Sequence, residues 1–148
     1  MPPKISRQLA QRLRRELVIW LTTVRPDGMP QPTPVWFLWD GDIFLVYSQP
    51  SARKLCNIAH DSKVALNLNS DEWGSQVVVI AGEASLDQAA PPANRNPGYM
   101  KKYREGIAQI EMTPESMASE YSVAIRVKPI HVRNKISGLK FGKHLRQP

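Results

Sequence analysis

Residues 17–47, LVIWLTTVRPDGMPQPTPVWFLWDGDIFLVY, decide the fold. Leu17 to Val24 is β-branched and aromatic, and it stops at Arg25-Pro26-Asp27-Gly28, a turn sequence between two strand-like runs. Gln31 to Trp39 resumes an extended pattern, but the prolines at 30, 32 and 34 cannot donate to a sheet ladder. Its first half therefore lies on an edge or at a bulge. Asp40-Gly41-Asp42 is a second tight turn, and Ile43 to Tyr47 is a third strand.

The flanking sequence extends this meander. Upstream, Ile5, Leu9 and Leu13 recur every four residues without Pro or Gly, which predicts a short amphipathic helix over 5–15. Downstream, a helix is expected from Pro50 or Ser51 to His60, with Leu55, Ile58 and Ala59 as its apolar face. Strands follow at 63–69 and 76–83, then a loop at 89–98 and a helix from about Tyr99 to Gln109. Thr113-Pro114-Glu115 opens a second short helix to Glu120, and Tyr121 to Val132 is the last strand. The expected fold is mainly β, a six-stranded antiparallel barrel with a few short helices. Its parts are an N-terminal helix (1–15), a barrel domain (16–133) and a basic C-terminal tail (134–148). Alternating βα units and glycine-rich phosphate loops are absent, which argues against a Rossmann fold.

The chain has 148 residues, room for one domain with a real core. A lone Cys56 excludes an intrachain disulfide scaffold and points to a reducing compartment. No run is long and apolar enough to span a membrane, and the charged N-terminus is not a secretory leader, so the expected location is cytoplasmic. The net charge of +7 is unevenly placed. Residues 1–15 carry five cations and no acid, residues 128–148 carry six and no acid, and the stretch between has nine cations against thirteen acids. The basic ends flank an acidic body, which is not the pattern of a nucleic-acid recognition surface.

Candidate chemistry is sparse. His60, His131 and His144 lack metal-ligand spacing, and no serine sits in a GxSxG elbow. Cys56, beside Leu55 on a predicted helix, reads as a buried structural thiol. The acid pairs Asp40/Asp42 and Asp71/Glu72 fall in turns, where turn chemistry accounts for them. The informative stretch is Tyr47-Ser48-Gln49-Pro50-Ser51-Ala52-Arg53-Lys54, followed by Asn57. A strand ends in hydroxyl and amide groups, and the first helical turn then presents cations beside free N–H groups. That is either a phosphate-binding corner without glycines or an ordinary solvated helix face.

On these residues the chain resembles the split-barrel flavin-binding superfamily typified by pyridoxamine 5′-phosphate oxidase. The likeness rests on Thr22/Thr23, Asp27, Gly28, Pro30, Pro34, Val35, Trp36 and Phe37, then on Tyr47, Ser48, Pro50, Lys54 and Asn57. It covers about residues 10–133, and it is strongest to the branch that uses the deazaflavin coenzyme F-420. The resemblance implies a homodimer with two cofactors in clefts at the interface. It implies that the phosphate lies against Ser48, Gln49, Arg53, Lys54 and Asn57, and that the ring lies along Pro34, Val35 and Trp36 beside Tyr47. Gln76 would approach from the partner subunit. The implied activity is hydride transfer from reduced F-420 to a small conjugated acceptor, and the alternative is a flavin mononucleotide (FMN) enzyme or a non-catalytic flavin or deazaflavin carrier. The second strand has no cation and no Trp follows Trp73, a departure from vitamin B6 oxidases. Trp36, Trp39, Trp73 and Tyr47 are candidates for a substrate wall. Arg12, Arg14, Arg15 and the C-terminal cations are candidates for holding the coenzyme's carboxylate tail. No catalytic side chain and no metal are assigned.

Overall fold

A computed structural model describes residues 2–136; the expected tail cations Lys140, Lys143 and Arg146, with His144, lie outside them. In chain order the elements are α1 (Arg7–Arg15), β1 (Ile19–Val24), β2 (Pro30–Val35), β3 (Leu38–Trp39), β4 (Phe44–Ser48), α2 (Arg53–His60), β5 (Lys63–Asn67) and β6 (Gln76–Leu86). A single 3-10 turn (Ala93–Arg95), α3 (Pro97–Gln109), α4 (Pro114–Glu120) and β7 (Val123–Ile136) complete them. The strands form one antiparallel sheet in the order β2-β1-β5-β6-β7-β4-β3.

There are seven described strands rather than six, because the expected strand 31–39 breaks at Trp36-Phe37. Val35 pairs with Ile19 of β1, at one edge of the sheet, and Leu38 pairs with Leu45 of β4, at the other. Two residues thus connect the two edges. Three peptide steps reach about 11 Å at most, so the sheet must roll into a barrel split between β2 and β3. The peptide group of Phe37 leaves both ladders and finds its partners on α3. Its N–H donates to the Tyr103 hydroxyl at 2.8 Å, and its carbonyl lies 3.0 Å from both that hydroxyl and Lys102 Nζ. The buried backbone is satisfied by side chains where the ladder fails.

Alternating residues of the strands fill the barrel: Ile19, Leu21, Phe44, Val46, Leu66, Ile80, Ile125 and Val127 are buried. Leu9 and Leu13 of α1 join the same core with Ile5 packed beside them, and Ser6 caps that helix through its hydroxyl. The core therefore sits between the inner sheet face and helices α1 and α2. The β6–β7 ladder bulges at Ala81/Gly82, where a Cβ on Gly82 would stand 2.8 Å from Lys128 O. Only glycine tolerates that approach.

Other boundaries differ from expectation. The α2 helix begins at Arg53, because Gln49 O accepts from Ala52 N–H and closes a turn over Pro50 and Ser51. Cys56 and Ala59 are exposed on it, while Ile58 is buried and Leu55 packs against the core, so the apolar stripe is narrower than predicted and the thiol is not a core group. The expected loop at 89–98 is shortened by the 3-10 turn and by α3, which starts at Pro97 with Asn96 as its cap. The last strand runs to Ile136, since β6 starts at Gln76 and pairs along that whole length. Among the described residues no helix is long and apolar enough to cross a membrane.

Candidate functional site

A cavity of about 490 Å³ opens where the broken strand, the β4–α2 corner and the α3–α4 pair meet. Pro34, Val35 and Trp36 line it from β2 and the break, Tyr47 and Gln49 from the end of β4, and Lys54 from α2. Those six of the ten sequence-predicted site residues converge on one space.

The strand side of the cavity has a defined hydrogen-bonding character. In an antiparallel strand the N–H and C=O of one residue point to the same side, and successive residues alternate. Prolines cannot donate, so the residues exchanging bonds with β1 are Gln31, Thr33 and Val35, opposite Thr23, Leu21 and Ile19. The edge of β2 that faces away from β1 consequently offers the carbonyls of Pro30, Pro32 and Pro34 and no donors. It suits a ring that presents N–H groups, and it cannot template another strand.

The corner side is cationic. Ala52 stands at the N-cap of α2 and makes no side-chain cap bond, which leaves the first-turn N–H groups of Arg53 and Lys54 open. The Lys54 ammonium reaches the cavity, and burial holds its pKa below the ordinary lysine range. No carboxylate lies within ion-pair distance of it among the described residues. A partly desolvated cation without a counter-ion, beside uncapped N–H groups, is a receptor for an anion.

The third side was not found from the sequence. Tyr99, Ile110, Met117 and Tyr121 of the α3–α4 unit form an aromatic and apolar wall facing Trp36 and Tyr47. The spacing of Tyr99 and Tyr103, one helical turn apart, is the signal that could have pointed to it. Tyr47 meets Tyr99 edge-on at 4.9 Å, and its hydroxyl donates to Pro91 O at 2.7 Å and accepts from Asn96 Nδ2 at 3.1 Å. Burial raises the Tyr47 pKa, with the Asn96 bond opposing and Asp87 reinforcing it, and burial likewise lifts Tyr99 and Tyr103. These phenols stay protonated at neutral pH, so among the described residues Lys54 supplies the charge of the cavity lining.

Four predicted site residues lie elsewhere in the single chain. Ser48 is buried and its hydroxyl donates to Gln49 O. Asn57 is buried and its amide donates to Thr23 Oγ1 (2.9 Å) and Gln31 Oε1 (2.8 Å), which ties α2 to the β1–β2 hairpin. Arg53 faces a separate depression with Arg25 and Cys56, and Gln76 stands exposed at the start of β6. Of the candidate wall residues, Trp39 is in the core and Trp73 is exposed in the β5–β6 loop. Arg12 is not a surface cation either: it is buried and donates to Asn69 O, while Arg14 stacks over Trp39 at 5.0 Å. Among the described residues no group of three His, Cys, Asp or Glu could hold a metal.

The family model for pyridoxamine 5′-phosphate oxidase matches residues 5–136. The chain belongs to the pyridoxamine 5′-phosphate oxidase family. Solved structures of similar fold include an F420 reductase, 24% identical, covering 88% of this chain and 98% of its own, with a TM-score of 0.64. Another is the haem storage protein HutZ of Vibrio cholerae, 15% identical, covering 90% and 97%, with a TM-score of 0.64. A conserved hypothetical protein of Mycobacterium tuberculosis is 19% identical and covers 89% and 85%, with a TM-score of 0.70. At these identities the likeness is one of fold. No curated protein matches the sequence. Members of the pyridoxamine 5′-phosphate oxidase family bind flavin-type cofactors.

Proposed function

We propose that this chain is an oxidoreductase that takes a hydride from the reduced deazaflavin coenzyme F-420 and delivers it to a small, uncharged conjugated acceptor. The observation that carries this reading is the pairing of Lys54, without an ion-pair partner among the described residues, with an aromatic wall across one cavity. Lys54 and the open N–H groups of α2 hold the phosphate, and the Pro34 carbonyl accepts from the ring. The bound cofactor supplies the hydride. The protein's part is orientation, exclusion of water and a neutral surface for the acceptor. With no acid in the lining among the described residues and Lys54 engaged by phosphate, a charged acceptor gains nothing there.

Formation of a homodimer fits the outer sheet face. Thr22, Ala65 and Ala81 stand in one row across β1, β5 and β6, with Val79 exposed beside them, which is a small-residue face that a second copy can cover. In such a dimer Gln76 and Arg53 of the second copy are the proposed additional contacts. FMN offers the same ring plan and phosphate, so the deciding experiment is a fluorescence or calorimetric titration of the purified protein with both cofactors. Tighter binding of the deazaflavin, followed by turnover with a panel of conjugated acceptors, supports the reading. Equal or stronger binding of FMN moves the chain to the flavin enzymes, and binding without turnover makes it a carrier.

A further inference from the structure

Trp36 is a cavity residue held by an arrangement that the proposed function does not use. Its indole stacks on the Tyr103 ring at 4.6 Å and 5°. Tyr103 itself is buried, and its hydroxyl is fixed by Phe37 N–H, with the carbonyls of Phe37 and Leu17 both in reach of its proton. Lys102 donates to the carbonyls of Phe37 (3.0 Å) and Leu13 (3.2 Å), and its ammonium lies 3.7 Å from the Phe37 ring centroid. The backbone on the C-terminal side of Trp36 is therefore clamped. One turn beyond Tyr103, Gly106 lies against the edge of the indole: a Cβ there would meet Trp36 Cη2 at 3.4 Å and Cζ2 at 3.5 Å. The space beside the indole therefore takes a methyl group at ordinary contact and nothing larger without a shift of the ring.

We infer that Trp36 is a preset wall whose position, fixed by Tyr103, Gly106 and the clamp on Phe37, sets the thickness of the ring system that the cavity admits. Trp36 is thus a specificity-determining residue, and Tyr103, Gly106 and Lys102 are positioning residues. The inference rests on the proposed function for the identity of its ligand but not for the wall itself. The contact distances grade the effect. A methyl group at 106 reaches van der Waals contact and no further, whereas a larger side chain must displace the indole from its seat against Tyr103.

The test compares Gly106→Ala, Gly106→Leu and wild type by three measurements. Ring-to-ring NOEs between Trp36 and Tyr103 report the wall without any ligand, far-UV circular dichroism and thermal melting report folding, and titrations with F-420, FMN and the dye 8-anilinonaphthalene-1-sulfonate report the cavity. The expected result is wild-type binding within threefold for Gly106→Ala, and a folded Gly106→Leu that loses the NOEs and binds at least tenfold more weakly. A folded Gly106→Leu with unchanged binding of every ligand overturns the inference, and so does absence of the Trp36–Tyr103 NOEs in wild type. If Gly106→Leu does not fold, Tyr103→Leu, which removes the stacking ring from the indole face, is judged by binding alone: at least tenfold weaker binding sustains the inference and unchanged binding of every ligand overturns it. Should wild type bind neither cofactor, the proposed function falls, and the wall is judged by the dye alone: weaker binding by the variant sustains it, and equal binding overturns it.

Discussion

Lys54 carries the proposed phosphate contact, and its removal is the most informative perturbation. In the free protein its ammonium is partly desolvated and has no counter-ion among the described residues, so the charged form is disfavoured and the pKa is lowered. A phosphate placed against it reverses that condition. A charge-assisted hydrogen bond contributes about 1.5–3 kcal/mol, so Lys54→Ala should weaken F-420 binding by roughly 10- to 150-fold. The sign of the pH effect follows from linkage. Binding raises the lysine pKa, so the complex holds a proton that the free protein begins to lose as pH rises through the lowered value. Between the free and bound pKa values affinity falls by up to about tenfold per pH unit, and below both it is flat. Calorimetric titration at several alkaline pH values measures this directly. The Lys54→Ala variant should bind weakly at every pH with no such slope, and Lys54→Arg should bind more tightly than Lys54→Ala, without the fall in that range. An unchanged Kd for Lys54→Ala, or a variant that keeps the wild-type pH slope, would refute the placement of the phosphate at this corner.

Three further predictions concern the scaffold. Lys102 has its pKa lowered to about 8, mainly by burial and despite Glu16 nearby, whereas the unfolded chain titrates near 10.4. Between those values the unfolded state binds more protons, so urea denaturation should show stability rising with pH above about 8, and Lys102→Met should lack this component of the rise. Gly82→Ala drives a methyl against Lys128 O and the Val127 side chain, which stand 2.8 and 2.9 Å from the new carbon, and should destabilise by about 1–3 kcal/mol in chemical denaturation. Asn57→Ala removes a buried hydrogen bond to Thr23 and a part-buried one to Gln31 and should cost about 2–3 kcal/mol, roughly 4–10 °C in Tm, while leaving cofactor affinity within threefold. A large loss of affinity with little loss of stability would instead return Asn57 to the binding site.

The meander, both tight turns and the order of helices and strands were legible because each rests on local chemistry. Asp40 shows this: its carboxylate accepts from the N–H groups of Asp42 and Ile43, the bonds that its turn sequence predicts. The Thr113 cap was legible for the same reason, and it forms a capping box with Ser116. What escaped the sequence is long-range. The break at Trp36-Phe37 has no Gly or Pro to mark it, since Val35-Trp36-Phe37-Leu38-Trp39 is uniformly strand-prone. It forms because Tyr103 and Lys102, more than sixty positions away, supply the hydrogen bonds that the ladders do not. The exposure of Cys56 escaped for a related reason. Neighbouring Leu55 suggested burial, but on a helix adjacent residues point about 100° apart, and only one of the pair turns toward the core. At the candidate site, Lys54 was found through helix-start chemistry, whereas the α3–α4 wall depends on how a distant helical pair docks.

The break also explains why the prolines stand where they do. A barrel left open between β2 and β3 exposes two sheet edges, each a template for unwanted pairing. The β3 edge is only two residues long, which limits what can pair with it. The β2 edge is longer, and the prolines at 30, 32 and 34 strip every donor from its outward side while leaving the ladder to β1 intact. The same stripping turns that edge into a row of carbonyl acceptors, and the break then swings Trp36 off the ladder to stand beside the last of them. A cofactor ring with N–H groups on one edge and an aromatic face would satisfy both at once, while a ring offering only acceptors would meet the carbonyls unfavourably. Under the proposed function, protection of the edge and selection of the ligand are two consequences of one pattern, proline at alternate positions of an edge strand. Replacing Pro34 by alanine restores a donor where the ring is proposed to lie, so it bears on both functions together.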